Sequence, residues 1–313
     1  MSQLREFAYS FSLLVFPAAA GYALRRRLVD PLTPARRIQI FNIIVFNPLV
    51  SCFAIWILSI DRQLVVLPSI GLVVSLALMG LSVAITRARG MPPPQSGSYV
   101  FSAAISNIGH TMGGFVCFVL IGEHAFSLSV IYHLYFMFFT YLVCFPLARS
   151  YSPSHKAGLW AGVVAAFTDV RSMPLVGIVI GFVLLGMGVE RPAFMSNVQA
   201  FIVSFSTALT MFGLGMTFQF RSLKKYRRDC VEMSLIKFVF TPALALLAIW
   251  VCGLTGLTAQ VVLMLSFMPT AIYACIIATL FELDVDLANA AFFVTTAVFV
   301  VVVLPVLAFA VGP

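Results

Sequence analysis

Charge is scarce in this chain. Only 10% of its 313 residues are charged, with 11 Asp and Glu against 19 Lys and Arg, while 61% are hydrophobic. A soluble domain carries far more charged surface than this. The few acids avoid the middles of apolar runs: Glu123, Glu232, Glu282, Asp284 and Asp286 all stand at run ends. No HExxH and no Walker sequence occurs. An intramembrane zinc protease and an ATP-driven pump therefore lack support. The chain reads as a non-enzyme without metal or cofactor. Its six cysteines (52, 117, 144, 230, 252 and 275) share no CxxC spacing. They predict neither a disulfide framework nor a zinc site, and buried Cys acting as a small hydrophobe accounts for them.

What the sequence has in abundance is apolar length. A helix crosses a bilayer with about 20 apolar residues. Breaks at Gly, Pro and charge clusters divide the chain into ten such segments. They fall near 8–28, 35–58, 64–86, 97–121, 124–148, 172–189, 195–219, 231–253, 256–281 and 286–310. The expected fold is an all-α polytopic membrane protein. Arg5, an apolar run and the alanines at 18–20 resemble a signal peptide. Arg25, Arg26 and Arg27, which close the run, read better as the cytoplasmic anchor of a first span.

The positive charges sort by side. Fifteen of the 19 Lys and Arg fall in the links after spans 1, 3, 5, 7 and 9, from Arg25 to Arg228. The opposite side has Arg5, Arg62 and Arg191, and Lys237 falls inside a span. The positive-inside rule then places both termini on the non-cytoplasmic side. These loops account for the net charge of +8, so a nucleic-acid surface is an unnecessary explanation.

Ten spans divide into five and five, and an odd number per half inverts the second half. The expected organisation is a first repeat at 1–148 and a cytoplasmic link at 149–171. A second, inverted repeat follows at 172–313. Within the link, GLWAGVVAAF reads as a short interfacial helix. FPAAAGYAL in span 1 parallels MPLVGIVIG in span 6. SNIGHTMGGFVCFVLIGE in span 4 parallels SFMPTAIYACIIATLFE in span 9. Each of the second pair carries a breaker in the middle and Glu at the end. Gly109, Gly113 and Gly114 interrupt one helix, and Pro269 kinks the other. Unpaired backbone at membrane depth is tolerated only inside protein or against a wet cavity. Two broken helices in matching places of inverted halves point to a transporter's site. If they cross at their breaks, two half-helix N-termini converge, and that spot suits an anion.

The same residues carry a family likeness. SNIGHTMGG resembles the NxGFxGxP crossover signature of the auxin efflux carrier family. Asn107 and Gly109 match it; His110 replaces the usual aromatic, Met112 a glycine and Gly114 the proline. The stretch from Met268 to Pro305 is similar to that family's last two spans, with its MPTA breaker, acidic turn, Thr-Thr pair and late Pro. LIKFVFTP (Leu235 to Pro242) and FGLGMTF look like its eighth and seventh spans. The resemblance implies ten helices in two inverted five-helix repeats, with broken crossover helices 4 and 9. It also implies a panel domain packed against a crossover domain, in a fold related to the bile acid–sodium symporters. Family members move small organic acids, among them malonate, malate and auxin.

The candidate substrate-binding residues gather at the breaks. Asn107 both donates and accepts, so it can hold a carboxylate or cap the following half-helix. His110 can hydrogen-bond substrate when neutral, or attract an anion and carry a coupled proton when charged. Helix–helix hydrogen bonding is the plainer role for each. Gly109, Thr111, Pro269, Thr270 and Tyr273 line the same region, with Pro269 as a breaker. Asn47 in span 2 and Thr207 in span 7 close it from the panel side. Lys237, about two turns into span 8, reads as snorkelling to the cytoplasmic interface. A counter-charge for an organic anion is its alternative.

The expected function is secondary transport of small mono- or dicarboxylates by alternating access, proton-coupled or as a uniport. The alternatives are a sodium-coupled symporter of the bile-acid type, an intramembrane enzyme and a membrane sensor. The expected partners are an organic acid and the lipid bilayer of a bacterial inner membrane, with homodimerisation left open and no nucleic acid.

Overall fold

Proline and glycine punctuate the apolar runs, and the chain bends where they fall. The computed structural model describes residues 2–58, 62–153, 173–217 and 223–311. Among these, the named elements are helical throughout. The expected interfacial helix, and most of the 149–171 link, lie outside the described residues.

Helix α1 is Ser2–Arg25. Helix α2, Leu32–Phe41, runs through a π turn at Asn42–Phe46 into α3, Asn47–Trp56. Then come α4, Arg62–Ala88, and α5, Pro93–Ala104. A π turn at His110–Gly114 leads into α6, Phe115–Leu120. Helices α7, Glu123–His133, and α8, Tyr135–Phe138, continue through a π turn at Phe139–Cys144 into α9, Phe145–Tyr151. Helices α10, Met173–Gly186, and α11, Phe194–Thr217, follow. Helix α12, Arg227–Leu235, passes through Ile236–Phe240 into α13, Thr241–Cys252. Helices α14, Gly256–Ser266, and α15, Ile272–Leu280, flank an extended gap. Helix α16, Val285–Val298, passes through Phe299–Val303 into α17, Leu304–Val311.

The π turns have a local cause. Those at Asn42–Phe46, Phe139–Cys144, Ile236–Phe240 and Phe299–Val303 each precede a proline by two positions: Pro48, Pro146, Pro242 and Pro305. Proline lacks the N–H that bonds the carbonyl four residues back, and its ring crowds that carbonyl. One extra residue per turn relieves the clash without breaking the helix. Among the described residues, four stretches are long and apolar enough to span a membrane: Val66–Ala88, Phe194–Gly213, Arg227–Cys252 and Val285–Ala310.

The helices sort into two packed groups. One, the panel, comprises α1, α2–α3, α10 and α11, in which α1 packs on α11 and α3 on α10. Glycine makes both contacts close. A Cβ on Gly21 would lie 2.0 Å from the Phe212 carbonyl oxygen, and one on Gly215 would lie 1.9 Å from that of Ala18. In the other pair, a Cβ on Gly177 would lie 2.0 Å from the Pro48 carbonyl oxygen. The remaining helices form the second group around α5, which packs on α4, α15 and α16. Its interior holds Tyr99, Phe101, Ile105, Met112, Phe115, Phe126 and Phe299, each less than 2% exposed.

Candidate functional site

Two interrupted helical paths meet in the second group. The first stops at Ala104 and resumes at His110; the second stops at Ser266 and resumes at Ile272. Their extended segments pair as an antiparallel bridge between Ser106 and Thr270. The Asn107 N–H donates to the Pro269 carbonyl (2.7 Å), and the Ala271 N–H donates to that of Ile105 (3.0 Å). The breaks thus satisfy each other's backbone, which membrane depth demands.

The position of the first break corrects the sequence expectation. The gap is Ile105–Gly109, and only Gly109 of the three glycines lies in it. Gly113 and Gly114 belong to the restarted helix. Their role is proximity: a Cβ on Gly113 would lie 2.7 Å from the Ile108 Cα, and one on Gly114 would lie 3.0 Å from the Phe126 ring. Gly109 (φ −67°, ψ 178°) and Ala271 (φ −74°, ψ 147°) stand in similar extended conformations just before the two restarts. The first N–H groups of each restarted helix have no acceptor in their own helix.

Lys237 does not snorkel. Its side chain is fully buried. Nζ donates to the Ala103 carbonyl at 2.7 Å and to Ser106 Oγ at 2.9 Å. Sequence placed it two turns from a basic loop, where an interface is in reach, but α5 ends beside it and offers unpaired carbonyls instead. A cation at a helix C-terminus also offsets the negative end of the dipole.

Thr270 is likewise committed to the crossing. Fully buried, it donates through Oγ1 to the Ser102 carbonyl (3.0 Å), and its N–H donates to Thr295 Oγ1 (3.1 Å). Pro269 supplies the carbonyl that Asn107 uses. Asn107 is buried at 7% exposure, and its own carbonyl accepts from the Gly113 N–H (3.0 Å).

His110 opens the second half of the first path and faces the panel. Its Nε2 lies 3.0 Å from Ser51 Oγ on α3. The His133 ring lies 6.1 Å from that of His110 and stacks on Phe136 at 4.7 Å. Phe136 meets Tyr273 edge-on at 5.4 Å. The Nδ1 of His133 is buried without a hydrogen-bond partner among the described residues. Around Gly109 and His110 the structure therefore gathers Ser51, His133, Phe136 and Tyr273. Sequence reading missed Ser51 and Phe136 and passed over His133. The signal available was a histidine inside a greasy span. The side chain of Thr111 lies outside the described residues.

The panel residues Asn47 and Thr207 lie on a neighbouring seam. Ser206 Oγ lies 3.5 Å from Asn47 Oδ1, and Asn42 Nδ2 donates to the Ser206 carbonyl (3.0 Å) and Thr210 Oγ1 (2.5 Å). Thr207 is fully buried between them. This seam borders the crossing, because α11 also packs on the His110–Gly114 turn.

Comparison with known proteins agrees with a transport role. Residues 12–307 match the family described as membrane transport protein. A stretch of 126 residues is 28% identical to an uncharacterized transporter of Methanocaldococcus jannaschii, covering 39% of this chain and 41% of that protein. A stretch of 100 residues is 28% identical to an uncharacterized transporter of Methanothermobacter thermautotrophicus, covering 32% of this chain and 33% of that protein. The matched stretches thus span less than half of these relatives' lengths.

Proposed function

The chain belongs to the auxin efflux carrier family of membrane transport proteins, and from that premise we propose that it is a secondary carrier of small mono- or dicarboxylates. It works by alternating access, proton-coupled or as a uniport. Ten spans in two inverted five-helix repeats form the carrier, which sits in a bacterial inner membrane with both termini outside the cytoplasm. The observation that carries this reading is the backbone-paired crossing of the two interrupted helices at Ser106 and Thr270.

The electrostatics support an anion there. Each half-helix N-terminus carries roughly half a positive charge. The C-terminal ends of α5 and α14 oppose them, and the Lys237 ammonium at the end of α5 tips the balance to positive. Asn107 supplies a hydrogen-bond donor. His110, with Ser51 as its partner, attracts the anion when protonated and so links proton and substrate. The aromatic side of the site, His133 with Phe136, receives the organic part.

The panel packing supports the repeat. Exchanging the halves carries span 1 onto span 6 and span 7 onto span 2. The α1–α11 and α10–α3 pairs are then equivalents, and both are glycine-closed. The π turns before Pro146 in span 5 and Pro305 in span 10 match in the same way.

Thermal-shift screening of purified protein against organic acids identifies the ligand. Uptake into liposomes in sodium-free buffer, and with the pH gradient collapsed, then separates the coupling modes. Uptake that demands sodium contradicts the coupling proposed.

A further inference from the structure

Arg191 sits in the turn between α10 and α11, on the face opposite the basic loops. Its side chain is 6% exposed. Three of its partners belong to the panel. Nη1 donates to the Phe53 carbonyl (3.1 Å) and to Gln199 Oε1 (2.8 Å), and Nη2 donates to Ser196 Oγ (2.6 Å). The fourth partner lies in the other group: Nη2 pairs with Glu123 Oε1 at 2.5 Å.

Glu123 is positioned independently of this pair. It is the first residue of α7 and follows Gly122, whose φ of +122° favours glycine. A carboxylate in a first helical turn is stabilised by the dipole. Breaking the pair therefore leaves Arg191 with three acceptors and Glu123 at a helix N-terminus facing water. A desolvated cation stripped of every partner would be costly; this one keeps most of its hydrogen bonds.

Among the described residues, the principal packing between the two groups lies on the same half. Helix α3 meets α7, α1 meets α6 and α17, and α11 meets α6 and the His110–Gly114 turn. Each of these segments of the second group belongs to the half of its span remote from the basic loops. Toward the basic loops, α9 and α12 pack on α5 within their own group. The crossing is thus sealed from the Arg191 face.

We infer that Arg191 and Glu123 form a reversible latch across the seam between the two groups. Closed, it holds the crossing shut from the face opposite the basic loops; its release is a step in opening toward that face. Neither residue belongs to the crossing, and the pair needs no contact with substrate.

Side-specific labelling tests this. In full-length protein with the six native cysteines replaced, Ser51→Cys reports exposure at the crossing. A membrane-impermeant maleimide is applied from each face of oriented vesicles. Glu123→Gln, which keeps the shape of the side chain, and Arg191→Lys, which keeps its charge but not the fork of donors, are compared with the parent. The expected result is a severalfold rise in labelling from the Arg191 face in both variants. Labelling from that face equal to the parent's in either variant overturns the latch. Hydrogen exchange of Glu123→Gln supplies a second reading. Faster exchange confined to α3, α7 and the 187–193 turn supports the latch. Equal acceleration in α5 and α16 means general loosening and overturns it. The assay uses no substrate, so its failure leaves the organic-anion reading standing, and the converse holds too.

Discussion

Replacing Gly215 by alanine tests the panel packing sharply. The added Cβ would lie 1.9 Å from the Ala18 carbonyl oxygen, whereas ordinary contact begins at 3.4 Å. Helices α1 and α11 must separate there by about 1.5 Å, since the obstacle is backbone and cannot rotate away. Overpacking of this kind costs about 1–3 kcal/mol, and more when backbone must move. Alanine's better helix propensity returns only about 1 kcal/mol. The net effect is a loss of up to about 2 kcal/mol. The control is Gly80→Ala in α4, where a Cβ meets nothing within 4 Å; there only the propensity gain remains. Melting of both variants in the same detergent decides the matter. A Gly215→Ala protein as stable as Gly80→Ala refutes the close approach of α1 and α11. Gly177→Ala, against the Pro48 carbonyl, repeats the test in the other pair.

Other expectations concern the crossing. Thr295→Val removes the acceptor for the buried Thr270 N–H and costs about 1–3 kcal/mol by the penalty for an orphaned donor, read as a lower melting temperature. Lys237→Met strips two donors from the end of α5. Because it also removes a buried charge, stability changes little, while substrate affinity falls severalfold in a binding titration. With His110 as the proton carrier, uptake declines as pH rises, because the cation that attracts the anion is lost. His110→Phe flattens that profile; a profile unchanged by the substitution removes His110 from the coupling role.

Much of the helical layout was legible in the sequence, because spans are long apolar runs and their ends carry Pro, Gly or Arg. The breaks in the two interrupted paths were legible too, through Asn107, Gly109 and Pro269. The exact seat of the first break was not. Gly113 and Gly114 look like breakers, but they serve close packing against Ile108 and Phe126. Distant partners were invisible. Nothing local to Lys237 says that the end of α5 will lie beside it. Nothing local to Ser51 or His133 says that each will face His110. The π turns are explained by the prolines after them, yet a proline alone does not say whether a helix breaks, kinks or widens.

The central claim is that the crossing holds a carboxylate. The most direct measurement is uptake of a panel of labelled mono- and dicarboxylates by proteoliposomes, made with the parent protein and with Asn107→Ala. The expected result is uptake of at least one acid by the parent and a rise in its apparent KM in the variant. Uptake of no acid under any gradient, or an Asn107→Ala carrier indistinguishable from the parent, would contradict it.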